Sequence, residues 1–195
     1  MSRAGEGEVH FRKVFAMVIN SSIKAVQADI SRAHGTLIIH ASTKAMTAPI
    51  EWVLSDLAKT PVKLDWYTQT ISPAMVRCSY EWTGQDGMAA KIATGLRNIP
   101  HVRFEVTQMS AGPDFNQRFC FTPNLGIFRA DINVHGDVVV NEQRLRHLME
   151  TNRNNLEGLQ KSIDDLLGTA WDVELEPFRV AMDSDVVRIA HRIVG

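Results

Sequence analysis

The amino-acid sequence predicts an α+β domain, and three observations between Gly35 and Gln108 predict it. Alternating apolar and polar residues at Val62 to Trp66, Val76 to Trp82 and Val102 to Val106 carry the period-two signature of half-buried strands. Two stripes at helical spacing separate them: Ile50, Val53, Leu54, Leu57 and Ala58, then Met88, Ala89, Ile92, Ala93 and Leu96. Before both stands GTLIIHA, Gly35 to Ala41, an apolar run rich in β-branched residues that suits the middle of a sheet. In order these elements read βαββαβ, the split βαβ or ferredoxin-like unit, followed by a C-terminal extension of strands and helices.

Right-handed crossovers would place both helices on one face of that sheet, with the first and third strands central. The expected core is Leu37, Ile39, Val53, Leu57, Leu64, Val76, Cys78, Ile92, Leu96, Phe104 and Val106. The opposite face carries Lys63, Asp65, Arg77, Glu81, Arg103 and Glu105, and it reads as solvated or lightly covered. Pro49 fits the first turn of the first helix, where its missing N–H has no partner to lose, and the Thr47 hydroxyl is available as a cap. Gly84 to Gly87 interrupts the chain before the second helix, and Pro100 closes it.

The second half continues with Arg118 to Phe121 as a strand after the loop at Gly112-Pro113-Asp114. Ile127 to Val134 and Asp137 to Val140 form a hairpin about His135-Gly136, where Gly136 supplies positive φ. These strands are expected to extend the sheet in preference to covering it. Asn141 is a natural N-cap for the helix bearing Leu145, Leu148 and Met149, and Thr151 to Asn155 is a polar break. A further helix carries Leu156, Leu159, Ile163, Leu166 and Leu167, and Gly168 ends it. Thr169 to Asp172 has capping-box spacing and opens a short helical turn that Pro177 terminates, while Val186 to Val194 is strand-like and expected to return to the sheet. Residues 1–34 read as an N-terminal extension and residues 35–195 as a single α+β domain, of which 35–108 is the βαββαβ unit and 109–195 the hairpin, helices and terminal strand. In the extension, Phe11, Val14, Phe15, Val18 and Ile19 make a short stripe, which Asn20-Ser21-Ser22 interrupts before Ile23, Val26 and Ile30. A loosely packed, flexible tail is favoured there over a partner-binding helix, and Met17 offers a later start.

Composition narrows the functional classes. The 195 residues carry 21 Lys and Arg against 22 Asp and Glu, a net charge of −1, so no global field draws the chain to nucleic acid or an anionic membrane. No apolar run approaches the roughly 18 residues of a membrane span and no signal-peptide layout opens the sequence, so a cytoplasmic location is expected. Cys78 and Cys120 lie far apart in apolar strand contexts and read as reduced core thiols. His101, His135, His147 and His191 are scattered without partner spacing, so neither a metal site nor a cofactor is expected.

Three constellations retain some chemical promise. His40, Ser42, Thr43 and Lys44 bring a base, two hydroxyls and a cation to a helix N-terminus, the recipe for holding an anion, although the loop ASTKAMTA lacks the glycines of a P-loop and ordinary capping is favoured. Thr169, Trp171, Asp172, Glu174, Glu176 and Arg179 gather acids beside an aromatic. On a helical turn Asp172 and Glu176 share one face, but a capped turn anchored by Trp171 and Phe178 is the favoured reading. Trp66, Tyr80 and Trp82 have the strand placement of a base-stacking surface, yet their alternation points them at the helices.

The segments LGTAWDVELEPFR (Leu167 to Arg179), IEWVL (Ile50 to Leu54), RFEVT (Arg103 to Thr107), TPNLG (Thr122 to Gly126) and GDVVVNEQRLR (Gly136 to Arg146) carry a resemblance. From about Gly35 to Gly195 the chain resembles an uncharacterised actinobacterial family classed as a domain of unknown function. The resemblance implies a cytosolic protein with no assigned catalytic residues. It also implies a link to fatty-acid or lipid metabolism through gene neighbourhood. The leading functional expectation is a noncatalytic binding or regulatory module, as a homodimer or with a protein partner, and the reading leans against an enzyme. The alternatives are a small-molecule enzyme or binder taking an anionic or acyl-CoA-type ligand at the loop after the first strand, and an RNA-binding module, which the charge balance disfavours.

Overall fold

Residues 32–110 and 116–194 are described by the computed structural model, with the backbone alone from 182 onward. Gly112-Pro113-Asp114 and the N-terminal stripes therefore lie outside the described residues. Among the described residues a single antiparallel sheet of seven strands and five α-helices succeed one another as β1 (Arg32–Thr43), α1 (Thr47–Ala58), β2 (Tyr67–Thr68), β3 (Met75–Gln85), α2 (Met88–Leu96), β4 (Arg103–Ser110), β5 (Gln117–Thr122), β6 (Gly126–Ile132), β7 (Val138–Val139), α3 (Glu142–Thr151), α4 (Leu156–Leu167) and α5 (Thr169–Val194). In space the strands run β2-β3-β1-β4-β5-β6-β7, and each is antiparallel to its neighbours. β1 and β3 are central to the first half because each is long and pairs on both edges.

Helices α1 and α2 pack against each other and share one core with the sheet. Leu37 and Ile39 of β1, Cys78 and Trp82 of β3, and Phe104 and Val106 of β4 are buried there against Ile50, Leu54, Ile92 and Leu96. Each such side chain stabilises by about 1.5–3 kcal/mol relative to exposure. Val76 is buried as well, and Val53, Leu57 and Leu64 sit half-buried at the margin. Trp66 and Tyr80 also pack against this core, so the strand aromatics present no stacking platform to solvent on that face. On β5, Phe121 stacks on Phe104 with ring centroids 5.4 Å apart and carries the core past the edge of β4.

Two expectations for the first half are corrected. Val62 to Trp66 is not a strand: the ladder at this edge is confined to β2, where Tyr67 and Thr68 pair with Arg77 and Val76. The alternation survives because the buried carboxylate of Glu51, on α1, replaces the missing strand partner. It accepts from the Leu64 N–H at 3.1 Å, the Trp66 indole Nε1 at 3.2 Å and Lys63 Nζ at 2.8 Å. Nor does Thr47 cap α1, since its hydroxyl donates to the Lys44 carbonyl at 2.9 Å inside a 3-10 turn over Lys44–Met46. Helix α2, by contrast, borrows a cap from the sheet: Gln108 Oε1 of β4 accepts from the N–H groups of Gly87 and Ala89. Gly87 itself holds φ of 83° there.

The second half extends the sheet through β5, β6 and β7, with Gly136 at φ 89° in the hairpin turn. Asn141 caps α3 by accepting from the Gln143 N–H at 2.9 Å, and Gly168 ends α4 at φ 78°. Two expectations for the C-terminal part fail. Pro177 does not terminate a short turn but lies within α5, which runs from Thr169 to Val194, so Val186 to Val194 is helix and not strand. The capping box does not form either: Thr169 Oγ1 meets Asp164 Oδ1 at 3.3 Å, and the Asp172 carboxylate turns to the sheet. A proline costs a helix one backbone hydrogen bond, and the contacts that α5 makes with the sheet offset that loss.

At Gly35 the chain tolerates no side chain. An added Cβ would lie 1.9 Å from the Thr107 carbonyl oxygen and 2.8 Å from the Trp82 ring. Gly35→Ala is expected to cost about 3 kcal/mol or to prevent folding, at the upper end for overpacking. Urea denaturation followed by tryptophan fluorescence measures this, and wild-type stability in the variant would contradict the close approach of β1 and β4.

Candidate functional site

Opposite the α1–α2 layer, strand alternation places His40 of β1, Glu105 of β4, and Arg118 and Cys120 of β5 on one face. Helix α5 lies over them. Trp171, Asp172, Leu175, Phe178 and Arg179 recur at i, i+1, i+4, i+7 and i+8, one side of a helix, and Leu175 is fully buried beneath it. His40 Nε2 approaches Glu105 Oε2 at 2.7 Å. Arg179 forks onto the same carboxylate, Nε to Oε2 at 2.9 Å and Nη2 to Oε1 at 2.7 Å, and Arg118 donates to Oε1 through Nε and Nη2 at 3.1 and 2.6 Å. Asp172 Oδ1 then bridges the two guanidinium groups at 2.5 and 2.7 Å. Two carboxylates balance two guanidinium charges, so the cluster is neutral apart from His40.

Burial by itself would push the Glu105 carboxyl upward. Hydrogen bonds from His40 and Arg179 and the charges of His40 and Arg118 overcome it and hold Glu105 far below the usual carboxylate range. Burial acts in the other direction on the thiol of Cys120, which donates to Glu105 at 3.4 Å and is pushed up to about 12 by burial and then by that carboxylate. Cys78, on the helix-covered face, is likewise pushed up to about 12, chiefly by burial. Both thiols are free and buried, and neither is poised as a nucleophile. A second, smaller group flanks the cluster: Glu174 Oε2 accepts from Thr122 at 2.9 Å, Arg103 reaches Glu174 at 3.3 Å, and the Arg103 guanidinium lies 5.3 Å over the Phe178 ring. The expectation of a solvated face is thereby corrected for Arg103 and Glu105, which α5 covers, while Glu81 remains exposed.

The residues singled out from the sequence separate in space. His40 is buried inside β1 and not at its end, because the strand runs on to Thr43 through an irregularity between Ile39 and Ser42. Its Nδ1 is buried without a hydrogen-bond partner, and its carbonyl accepts from the fully buried Gln69 at 2.6 Å. Ser42 is buried, Thr43 half-buried and Lys44 exposed, and α1 begins without a side-chain cap. In the tail, Asp172 and Arg179 enter the Glu105 cluster, Trp171 packs at a tilt against Phe128 with ring centroids 5.1 Å apart and donates to the Gly126 carbonyl at 2.9 Å, and exposed Glu176 meets Arg179 at 3.2 Å. Asp172 and Glu176 thus pair with arginine and not with each other. Sequence reasoning missed Glu105 and Arg118 as partners of this tail. The available signal was an acid and a base at the same face parity on two strands, which looks identical on a face left open to water. Among the described residues no group of three or more His, Cys, Asp or Glu is placed to hold a metal ion, and no helix is long and apolar enough to cross a membrane.

Beside the cluster the helical hairpin α3–α4 stands apart. Of the ten residues of α3 only Leu148 is half-buried and none is buried, and α4 likewise buries no residue. Leu145, Met149 and Leu156 are exposed, the last at 82%, and a groove of about 640 Å³ runs between the helices. Asn152 bonds the Leu148 carbonyl at 3.0 Å and holds the hairpin's turn.

Fold and site define a mixed α/β protein in which a seven-stranded antiparallel sheet has a helix-built apolar core on one side and an ion cluster on the other. The chain belongs to the DUF3145 family, described as a protein of unknown function, whose model matches residues 36–192. No curated protein and no solved structure matches it significantly.

Glu105→Ala is expected to destabilise the protein by about 3–5 kcal/mol, because it leaves two half-buried arginines to share Asp172 alone and the buried His40 Nε2 without its partner. Chemical denaturation checks this; a loss under about 1 kcal/mol would show the cluster to be dispensable. Glu105 also sets a pH dependence. Its folded value lies below the unfolded one of about 4.3, so its contribution is complete above that pH and is lost as pH falls through the folded value. The stability gap between wild type and Glu105→Gln should therefore narrow as pH drops below about 4, and a gap that widens there would contradict the assignment.

Proposed function

We propose that this chain is a noncatalytic binding module that docks onto another protein chain through the α3–α4 hairpin. Its first half, in this reading, is a ferredoxin-like split βαβ unit serving as a rigid base. The strand order β2-β3-β1-β4 and the shared α1–α2 core support that reading of the base. One observation carries the functional proposal, the exposure of α3. A helix of ten residues is marginal in water by itself and gains its stability from packing an apolar face. Here Leu145 and Met149 have that face and nothing in the described chain covers it. The ion cluster supports the same reading from the other side, since Glu105, Asp172, Arg118 and Arg179 are committed to one another and stiffen the platform on which the hairpin is mounted.

Fractionation of a native extract by size exclusion, with the chain at its own expression level, tests the proposal. The wild-type chain is expected to elute in an assembly larger than its own 21.8 kDa, and Leu145→Glu combined with Met149→Glu to elute as the free chain with its melting temperature unchanged within a few degrees. Elution of the wild-type chain as a monomer would overturn it.

A further inference from the structure

From the free edge of β3 and the cleft beside it we infer that residues 14–19 of the same chain lie along β3 as an added strand, in place of the loose tail that their interrupted stripe suggests. β3 pairs with β1 from Met75 to Gln85, but on its outer side β2 meets it only at Val76 and Arg77. Met75 accepts from the Gln69 N–H on that side at 2.9 Å. Backbone groups alternate sides along an antiparallel strand, so Ser79, Glu81 and Thr83 also turn their N–H and C=O groups outward, and among the described residues nothing pairs with them there. An edge of this kind takes up an extended chain through main-chain hydrogen bonds.

A cleft of about 910 Å³ runs beside this edge and gathers residues from both faces of the sheet, Tyr80, Trp82 and Ala58 on the helix side and Thr36, Thr107 and Met109 on the other. The Trp82 indole Nε1 is buried there without a hydrogen-bond partner among the described residues, a donor for which an added chain supplies acceptors. Val14 to Ile19 reads VFAMVI, six apolar residues of which three are β-branched, and so offers an apolar side to each face. Between Val9 and Ala28 the chain carries Arg12, Lys13 and Lys24 and no acid, while Glu81 in the cleft is exposed and makes no ion pair among the described residues. Arg32 lies opposite Gln85, at the end of β3 where this edge stops. Two strand spacings, about 10 Å, separate β1 from a strand outside β3, and the 12 residues 20–31 cross that distance with length to spare.

Amide hydrogen exchange followed by NMR on the full chain tests the inference, with Leu37 and Val106 of the central ladder as internal references. In the wild type the Ser79, Glu81 and Thr83 amides and the Trp82 indole N–H should exchange at least about tenfold more slowly than in Val18→Pro, which removes a strand N–H, and than in Phe15→Asp, which sets a charge on the other side of the run. The reference amides should keep their wild-type rates in both variants. Edge amides that exchange in the wild type as fast as in an unstructured chain overturn the inference without recourse to a variant. Edge amides equally protected in all three chains also overturn it, because something other than this segment then covers β3. Protection that rises with protein concentration assigns the added strand to a second copy and overturns its assignment to the same chain.

Discussion

Glu105 brings a negative charge into the interface between a sheet and a helix, where an unpaired carboxylate would be prohibitively costly. Four groups from three other elements converge to answer it: His40 from β1, Arg118 from β5, Arg179 from α5, and Asp172, also from α5, which holds the two arginines in place. The position of α5 follows from that demand. Leu175 is buried between Asp172 and Arg179 along the helix, so apolar burial supplies adhesion while the charge pairs fix where along the sheet the helix sits. A helix held by Leu175 alone could slide by a turn, whereas a bidentate arginine on a buried carboxylate permits one placement.

The two faces of the sheet consequently obey different rules. Under α1 and α2 the contacts are aliphatic and aromatic, tolerant of small shifts, and organised by area. Under α5 they are directional, and Trp171 on Phe128 and Phe178 beneath Arg103 add aromatic contacts on either side of the charge pairs. The same environment explains the inert thiol of Cys120: beside a carboxylate and out of water, it has every reason to keep its proton. The hairpin α3–α4 belongs to neither layer. It follows β7 at the edge of the sheet, its helices are short and capped, and Leu145, Met149 and Leu156 are exposed. Its local signals are good, yet among the described residues little burial matches them.

Much of this architecture is legible in the sequence, and the exceptions have physical causes. The core stripes of α1, α2 and β4 were readable because periodicity reports one-sided burial directly, and Gly136, Asn141 and Gly168 were readable because turns and caps are local chemistry. Val62 to Trp66 misleads because a segment pinned by Glu51 alternates between burial and exposure just as a paired strand does. Pro177 misleads because its penalty is local and fixed, while the contacts that outweigh it come from strands more than fifty residues earlier in the chain. Val186 to Val194 is apolar and β-branched enough for a strand, but it follows in frame from a helix already committed to the sheet.

The sequence by itself determined the mixed α/β class, the two helices and three of the strands of the first half, and most of their apolar core, since these depend on patterns within ten or twenty neighbouring residues. Tertiary structure alone decided that His40, Glu105, Arg118, Asp172 and Arg179 form a single cluster. An acid at one strand position and a base at another carry no record of each other along the chain. Only the pairing of β4 with β1 and β5, and the helix laid across them, brings those charges within reach, where the cost of burying each alone compels them to meet.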